Sequence, residues 1–488
     1  MSRFPHVFPV PYCAAFIALL AGCKGADTSP TPTVDVRVDH PGKTDASEAT
    51  VPRTCLVDGR LGVAWQEDRT GAPGIFFNTS ADNGATWLPG DVHINHADAD
   101  AVAPDIACSG TYVYIVWEDE RDGELKNHNI YAAVSTDGGQ TFGETDVLLD
   151  GDVDGAAMSL GPRVVAVGDD VYVAWFDNRN GAYDIYLQAS HDDGATWLPD
   201  AVRADSDPAG NAYSAWPSLA ATKSGVIVAW EDSRGGASDI YASASTDGGQ
   251  TFGNDVRLDT GDDSGATNSF EAHVAMESST AVVTWYDERN GPRDIYLNTT
   301  TDVGATWTGS TAPTQVDSDG PGASDALHPS IALNSGKAYI AWQDDRSGGY
   351  DIYERTYDTA AGTFASPEVR LDTDANGESQ SYYPQIAVDG RNVFVDWQDY
   401  RNDKDNVGFD DLFYNYSGDG GKNWNQSDLR INSNEQGSSY AIAASAGIVG
   451  GSFVAAWSDG REGTADIYSA SRTLGDESVY VAPPAATK

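Results

Sequence analysis

The sequence predicts an all-β fold, a β-propeller of about eight four-stranded blades. The first observation behind this prediction is a W-x-D-x-R string that recurs along the chain, with Glu67 replacing the Asp in the first copy. The spacing of about 56 residues matches repeating units of several short strands. The second observation is the abundance of Gly, Asp, Thr and Ser, which favours turns and short strands. The copies begin at Trp65, Trp117, Trp175, Trp230, Trp285, Trp342, Trp397 and Trp457.

The third unit shows how each unit divides into strands. Strand A is predicted at 162–167 and strand B at 171–175, which is apolar on both faces, as expected between two neighbouring sheets. Strand C is predicted at 183–190, followed by a tight turn at 191–197 and strand D at 200–205. Four strands for each unit correspond to one propeller blade.

The two ends of the repeat predict ring closure. The eighth unit has strands A, B and C but no strand D. The segment 33–39, "TVDVRVD", resembles strand D of the other units and is predicted to complete the last blade. Closure of this kind removes exposed sheet edges. The repeat is therefore one propeller domain at 33–474, followed by a C-terminal tail at 475–488.

Each W-x-D-x-R string is interpreted as scaffold. Its Arg is expected to lie between its own Asp and the acidic residue that begins strand C, such as Asp184 in the third unit. A guanidinium between two carboxylates is a strong hydrogen-bonding arrangement.

The turn between strands C and D is also interpreted as scaffold. Six units carry S/T-x-D-x-G-x-T-W/F or a close variant, and "STDGGQTFG" occurs twice, at 135–143 and 245–253. The Asp can accept hydrogen bonds from the backbone N–H groups that follow it, and the Gly permits a positive φ. A group that repeats around a ring cannot form a single catalytic centre.

This turn pattern resembles the Asp-box of the sialidase-like, or BNR-repeat, β-propellers, and the resemblance covers nearly all of the mature chain. The resemblance implies a propeller fold. It also implies exo-α-sialidase chemistry, with three Arg for a carboxylate, a Tyr nucleophile paired with a Glu, and an Asp acid/base. The "RIP" string of sialidases is absent, and the chain has eight units instead of six. Tyr382 or Tyr383 with Glu271 are the candidates for the Tyr–Glu pair.

The N-terminus predicts export. Arg3 precedes a short apolar run that ends in "LAGC", which resembles a bacterial lipobox. We expect a lipoprotein signal peptide at 1–22, lipidation of Cys23 and a flexible tether at 23–32. Lys24 favours the outer membrane or the cell surface over retention at the inner membrane. An ordinary secretory signal is the alternative.

The net charge of the chain excludes some classes of binding partner. The 488-residue chain has a formal net charge of -45, so nucleic acid and anionic lipid are poor partners, and we expect membrane contact only through the lipid anchor. Glycans, extracellular polymers and proteins remain.

Cys55 and Cys108 occupy matching strand-A positions of neighbouring units. In an oxidising compartment they are predicted to form a disulfide.

A ligand site is predicted on the rim that carries the B–C and D–A loops. Large side chains that do not repeat lie just before strand A, and flat rings suit sugar stacking. Filling of a wide central hole is the alternative interpretation. Two Arg directly follow the Pro that opens strand A, and they are candidate partners for a carboxylate. The predicted ligand-binding residues are Arg53, Arg163, Trp216, Phe270, Tyr382 and Tyr383.

Calcium is the one cofactor suggested. Some D–A connections place acidic residues at alternate positions around a Gly, as at the start of a calcium loop. Plain solvated turns are the alternative. The predicted ligands are Asp150, Asp152 and Asp154 in one connection and Asp372, Asp374 and Asn376 in another.

Three functions are consistent with the sequence. The first is a surface-anchored lipoprotein that binds a glycan, polymer or protein. The second is an exo-glycosidase of sialidase type, and the third is a structural assembly subunit. Three Arg converging beside a Tyr and a Glu would favour the enzyme.

Overall fold

A computed structural model describes residues 35–40, 47–57, 59–122, 127–152, 155–309, 312–375, 377, 379–403, 408–449 and 451–473. Eight antiparallel sheets built from these residues form a closed ring, which confirms the predicted eight-bladed propeller. Within the described part of the chain, no helix has the length and apolar character needed to span a membrane. The signal peptide, Cys23, the tether at 23–32 and the tail at 475–488 lie outside the described residues.

Each blade is one sheet of four strands, named A to D from the inside outwards, and the sixth blade has one additional short strand. The N-terminal strand is β1 (Val36–Arg37), and the blades follow in chain order. They are blade 1, β2 (Ala49–Val57), β3 (Arg60–Glu67), β4 (Gly74–Ser80), β5 (Val92–His93); blade 2, β6 (Ala101–Ser109), β7 (Tyr112–Asp119), β8 (Asn129–Ser135), β9 (Val147–Leu148); blade 3, β10 (Ser159–Val167), β11 (Asp170–Asp177), β12 (Asp184–Ser190), β13 (Val202–Arg203); blade 4, β14 (Ser214–Thr222), β15 (Gly225–Asp232), β16 (Asp239–Ser245), β17 (Val256–Arg257); blade 5, β18 (Ser269–Glu277), β19 (Thr280–Asp287), β20 (Asp294–Thr300), β21 (Thr314–Gln315); blade 6, β22 (Ala326–Asn334), β23 (Lys337–Asp344), β24 (Asp351–Asp358), β25 (Thr363–Phe364), β26 (Val369–Arg370); blade 7, β27 (Ser381–Asp389), β28 (Asn392–Asp399), β29 (Asp411–Ser417), β30 (Leu429–Arg430); and blade 8, β31 (Ala441–Val449), β32 (Ser452–Asp459), β33 (Asp466–Thr473).

The A strands are innermost, because each packs against the A strands of the two neighbouring blades. All eight A strands contain a register shift near their start, as between Leu160 and Arg163 in blade 3. Strand A of that blade therefore begins at Ser159, three residues before the predicted start at 162. The extra residues belong to a β-bulge, which breaks the alternation from which the strand was predicted.

The N-terminal segment closes the ring as predicted. Strand β1 pairs with β33, with Val36 opposite Ser469, and the Val38 N–H donates to the Ile467 carbonyl at 2.8 Å. Val38 is fully buried in the core between the last and first blades. Asp35 also reaches the seventh blade, where it accepts a hydrogen bond from the Ser433 N–H at 2.6 Å. Chain ends far apart in sequence thus complete one blade.

The W-x-D-x-R strings form a repeated core contact. In blade 4 the Trp230 ring is fully buried, and its Nε1 donates to Asp232 at 3.0 Å. Arg234 bonds the same carboxylate and lies over the Tyr241 ring, 4.0 Å from its centroid. These contacts make the string part of the scaffold.

The second carboxylate of this arrangement differs from the prediction. Arg234 pairs with Asp255, which precedes strand D, at 2.7 Å. The acidic residue that begins strand C is used differently, since Asp239 meets Arg257 of strand D at 3.1 Å. Asp255 also accepts the Ser206 N–H of the preceding blade at 3.0 Å, so the acid before strand D links two blades.

The C–D turns repeat one set of contacts. In blade 1, Ser80 Oγ accepts the Gly84 N–H at 2.8 Å, and Asp82 accepts the Thr86 N–H at 2.8 Å. The Thr86 hydroxyl donates to the other oxygen of Asp82 at 2.7 Å. Blades 2, 3, 4, 5 and 7 repeat this pattern, with Asn423 in place of Thr in blade 7. Blade 6 has the short strand β25 there instead.

Cys55 and Cys108 lie on the inner strands of blades 1 and 2. The structure joins them in a disulfide, with Cα atoms 5.8 Å apart. This distance lies within the usual range for a disulfide bond. The bridge therefore links two neighbouring blades close to the central channel.

Candidate functional site

The bulges of the A strands place one residue from each of seven blades near the inner rim of the ring, which we call the funnel mouth. In seven blades the bulge residue has a positive φ between 52° and 61°. A positive φ is uncommon for residues other than Gly and is worth a functional explanation. We call this set the bulge ring; it consists of Val51, Ala103, Gly161, Trp216, Glu271, His328 and Tyr383.

The bulge ring is asymmetric. Blades 1 to 3 contribute Val51, Ala103 and Gly161, which are small. Blades 4 to 7 contribute the much larger Trp216, Glu271, His328 and Tyr383. The backbone conformation repeats but these side chains do not. One sector of the funnel therefore has the aromatic and polar side chains that a specific binding site needs.

Strand B of the preceding blade holds several of the bulges in place. The residue after the Trp of a W-x-D-x-R string accepts a hydrogen bond from the bulge N–H of the next blade. Gln66 accepts from Ala103 at 3.2 Å, and Glu118 accepts from Gly161 at 2.8 Å. The later blades repeat this contact in the same way, from Glu231 to Glu271 and from Gln343 to Tyr383, both at 2.9 Å.

Three bulge-ring residues contact one another. His328 Nδ1 lies 2.7 Å from Glu271 Oε2, and both side chains keep part of their surface exposed. The His328 and Tyr383 rings are 4.7 Å apart between centroids. Burial and the negative charge of Glu271 raise the pKa of Tyr383. Glu271, a candidate partner of Tyr382 or Tyr383, thus pairs directly with His328, and the Tyr383 ring contacts His328 at a tilted angle.

Aromatic rings surround these three residues. Phe270 contacts Tyr286 at 5.6 Å between centroids, and Tyr286 in turn lies 6.4 Å from His328. Tyr382 contacts Tyr350 at 5.5 Å. Burial, followed by the charges of Glu271 and Glu231, raises the pKa of Tyr286. Phe270, Tyr382 and Tyr383 thus belong to one aromatic wall.

Trp216 belongs to a second aromatic cluster, on blades 3 and 4. Its ring lies 5.2 Å from Phe176, which lies 5.1 Å from Tyr183. Tyr183 contacts Tyr213, which is 43% exposed at the rim. Flat rings in this position offer a stacking surface next to the funnel.

Arg53 and Arg163 each follow a bulge-ring residue by two positions, and both side chains are buried. Arg53 Nε lies 3.9 Å from Asp105 Oδ1, and the positive charge of Arg163 also acts on Asp105. All three side chains are buried. Burial raises the pKa of Asp105, and the two guanidinium groups oppose that rise. The carboxylate beside both Arg is thus an internal one, and their contact with a ligand stays a prediction.

The acidic residues of the D–A connections mostly form hydrogen bonds and ion pairs with other residues of the propeller. Asp150 accepts the Ile130 N–H at 2.9 Å, and Asp372 accepts the Ile352 N–H at 2.9 Å. Arg370 Nη2 lies 2.9, 2.7 and 2.6 Å from Asp351, Asp372 and Asp374, so a guanidinium occupies the centre of that cluster.

Asp152 accepts the Ala157 N–H at 2.6 Å. Asp154 and Asn376 lie outside the described residues. Calcium binding at these connections stays a prediction, and Arg370 already supplies positive charge at one of them.

Glu231 is not among the site residues that the sequence predicts. It stands inside a W-x-D-x-R string, where repetition indicates scaffold. The available signal was that its position varies among blades, with Gln, Glu, Phe, Tyr and Ser. A variable position in a repeated string marks a place where blades differ in chemistry, by the same logic that identified the bulge ring.

Comparisons with known proteins bear on the fold alone. No protein-family model matches the chain, and no curated protein matches it. The solved structure of the polysaccharide lyase Uly1 is 10% identical, covers 90% of this chain and 100% of its own, and has a TM-score of 0.50. An α-L-arabinanase from Penicillium chrysogenum is 14% identical, with coverages of 77% and 93% and a TM-score of 0.40.

A sialidase from Trypanosoma rangeli is 14% identical, with coverages of 62% and 53% and a TM-score of 0.35. At 10% identity, the similarity to the Uly1 structure bears on the fold alone. It does not transfer an activity or a site residue.

Proposed function

We propose that the protein is an exported glycan-binding propeller whose site is the funnel mouth at the large-residue sector of the bulge ring. One observation carries this proposal: a backbone conformation that repeats in seven blades presents Trp216, Glu271, His328 and Tyr383 in one sector only. Positive-φ residues persist where the surrounding structure holds them, and they cluster at ligand sites.

The chemistry of this sector suits a sugar. Trp216 and Tyr383 present flat faces, and sugar rings expose C–H groups that pack on such faces. His328 and Glu271 offer polar atoms that can fix the orientation of hydroxyl groups. Aromatic surface with a few polar groups is the usual composition of a small-molecule pocket.

Sialidase chemistry is not the activity we expect. Arg53 and Arg163 lie beside the internal carboxylate of Asp105, and the ring of the candidate Tyr383 contacts His328 at a tilt of 49°. We therefore propose a site without a guanidinium cluster that would bind the carboxylate of sialic acid.

A glycan array tests the location of the site. The wild type should bind a defined subset of glycans, and the Trp216→Ala, Tyr383→Ala double variant should lose at least about 2 kcal/mol of binding free energy, because two stacking rings are removed. Tyr112→Ala is a suitable control, since Tyr112 lies at the other end of strand B, near the C–D turns. Unchanged binding by the double variant would place the site elsewhere. Hydrolysis of a fluorogenic sialoside that Tyr382→Phe or Tyr383→Phe abolishes would favour the sialidase.

The proposed location is the cell envelope, through a lipid on Cys23. The Cys23→Ser variant should be found in the soluble fraction. Ser at this position cannot carry the lipid, and the apolar run before it is too short to act as a membrane span. Fractionation with an antibody measures this, and metabolic labelling with a fatty acid should mark only the wild type. A Cys23→Ser variant that stays with the membranes would rule out the lipid anchor.

A further inference from the structure

Glu231 accepts a hydrogen bond from a backbone N–H, and this contact does not require a charged side chain. Its Oε1 accepts the Glu271 N–H at 2.9 Å. At the same position, Gln66 and Gln343 accept the bulge N–H of the next blade with a neutral amide oxygen. The repeat itself therefore shows that Gln meets the structural need. The carboxyl group at 231 calls for another explanation.

The surroundings of Glu231 keep it protonated. Burial raises its pKa to about 8, and the nearby charge of Glu271 acts in the same direction. Glu118 makes the same backbone contact in blade 2, but His128 Nδ1 lies 2.7 Å from its other oxygen. Glu231 has no comparable ion pair among the described residues, although the nearby His273 acts to lower its pKa. A carboxylic acid that retains its proton near neutral pH can act as a general acid.

Glu271 supplies the complementary group. Its Oε2 lies 2.7 Å from His328 Nδ1, beside the proposed ligand position. The 2.9 Å contact between Glu231 and the Glu271 backbone places the two residues side by side on blades 4 and 5. Glu271 keeps part of its side chain exposed, and Glu231 as a residue is half-buried. Two carboxyl groups on neighbouring blades, one buried and one beside an imidazole, are the kind of pair that glycoside hydrolysis uses.

We propose that this sector hydrolyses a neutral glycan, with Glu231 as the general acid and Glu271 as the general base; the proposal rests on glycan binding at the funnel mouth. The glycosidic C–O bond breaks as the Glu231 proton passes to the leaving sugar oxygen. The oxygen of a water molecule forms the new bond to the anomeric carbon, and its proton passes to the Glu271 carboxylate. Proton exchange with solvent then restores both groups.

The charge of the sector selects the class of glycan. Glu271 lies in the proposed site with Glu231 bonded to its backbone, and the protein as a whole has a net charge of -45. A uronate or sialate would meet repulsion there from a carboxylate at the reaction centre. A neutral chain does not, and it can still stack on the aromatic wall.

The first experiment separates binding from cleavage. Linear arabinan, xylan, galactan, mannan and mixed-linkage β-glucan are screened by affinity electrophoresis, and each polymer that binds is then assayed for new reducing ends. We expect cleavage of at least one bound polymer. Binding without any new reducing end would overturn the hydrolysis proposal and leave glycan binding intact. Failure to bind every polymer would count against both.

The variants assign the roles. Glu231→Gln keeps the backbone hydrogen bond and should lower kcat on the polymer at least about 100-fold with little change in KM, as expected when a general acid is removed. Glu118→Gln makes the same change in blade 2 and should leave kcat unchanged. Glu271→Gln should also lower kcat at least about 100-fold.

The leaving group provides a further test. A 2,4-dinitrophenyl glycoside of the same sugar needs no acid, so Glu231→Gln should retain most of its activity on that substrate. Equal losses on both substrates, or equal losses in Glu231→Gln and Glu118→Gln, would overturn the assignment of Glu231. An unchanged melting temperature in both variants shows that folding is not the cause.

Discussion

Deletion of residues 24–40 should lower the melting temperature by more than about 10 °C and cause aggregation, because it removes the strand that closes the ring. Blade 8 would then end at β33, with an unpaired edge. The deletion also exposes the core that Val38 covers, and burial of one Val side chain stabilises by about 1.5–3 kcal/mol.

The polar contacts of this segment make the loss larger. Asp39 accepts the Ile467 N–H at 2.7 Å, and Asp35 pairs with Arg461 at 2.9 Å while it bonds Ser433 of blade 7. Removal of these acceptors leaves buried donors without partners, each at a cost of about 1–3 kcal/mol. The segment therefore contributes several kcal/mol through a handful of residues.

A shorter deletion provides the control. Removal of residues 24–32 spares strand β1 and should leave the melting temperature within about 1 °C of that of the unlipidated full-length protein, because no described contact is lost. Calorimetry measures the transition, and light scattering measures aggregation. If the longer deletion melts like the shorter one and stays monomeric, the strand does not close the ring.

The closure could be predicted because a short strand keeps its local pattern. The "VDVRVD" segment has the same alternation and the same flanking acids as strand D of other blades. Alternation in sequence is local information, and it specifies which face of a strand is buried. The structure then pairs Val36 with Ser469 across 433 residues.

The contacts of the site could be predicted only in part. The large residues of the bulge ring were visible because they interrupt a repeat, but their partners were not. His328 pairs with Glu271 across 57 residues, and Glu231 bonds Glu271 across 40. Both contacts cross blade boundaries and depend on how far the bulge turns each side chain. A bulge inserts residues with positive φ, and composition and spacing do not indicate that conformation.

The second large effect concerns Asp396, and we expect Asp396→Ala to stabilise the protein at alkaline pH. Asp396 is 2% exposed in the middle of strand B of blade 7, opposite Gln385. Five other blades have Ala at the matching register position, Ala64, Ala174, Ala229, Ala341 and Ala456. The fold therefore accepts Ala there without a cavity that needs filling.

Burial raises the pKa of Asp396 to about 8, above its ordinary value of 3.8. The folded protein consequently binds this proton more tightly than the unfolded chain, so the free energy of unfolding falls as pH rises between about 4 and 8. Above pH 8 the folded state carries the full cost of a buried charge. Asp396→Ala removes this cost, and the expected gain at pH 9 is about 2–4 kcal/mol, with little gain at pH 4.

Asp399 provides the matched control, three residues along the same strand. It is fully buried as well, but Trp397 Nε1 donates to it at 3.1 Å and Arg401 bonds both of its oxygens. Asp399→Ala leaves a guanidinium without its carboxylate and should destabilise by about 3–5 kcal/mol at both pH values. Urea unfolding at pH 4 and pH 9 measures both variants. Because the two residues share a strand and are both buried, opposite signs at pH 9 would show that a buried carboxyl group paired with Arg acts differently from one with no ion pair among the described residues. A loss of stability in Asp396→Ala at pH 9 would mean that Asp396 has a stabilising partner in the core.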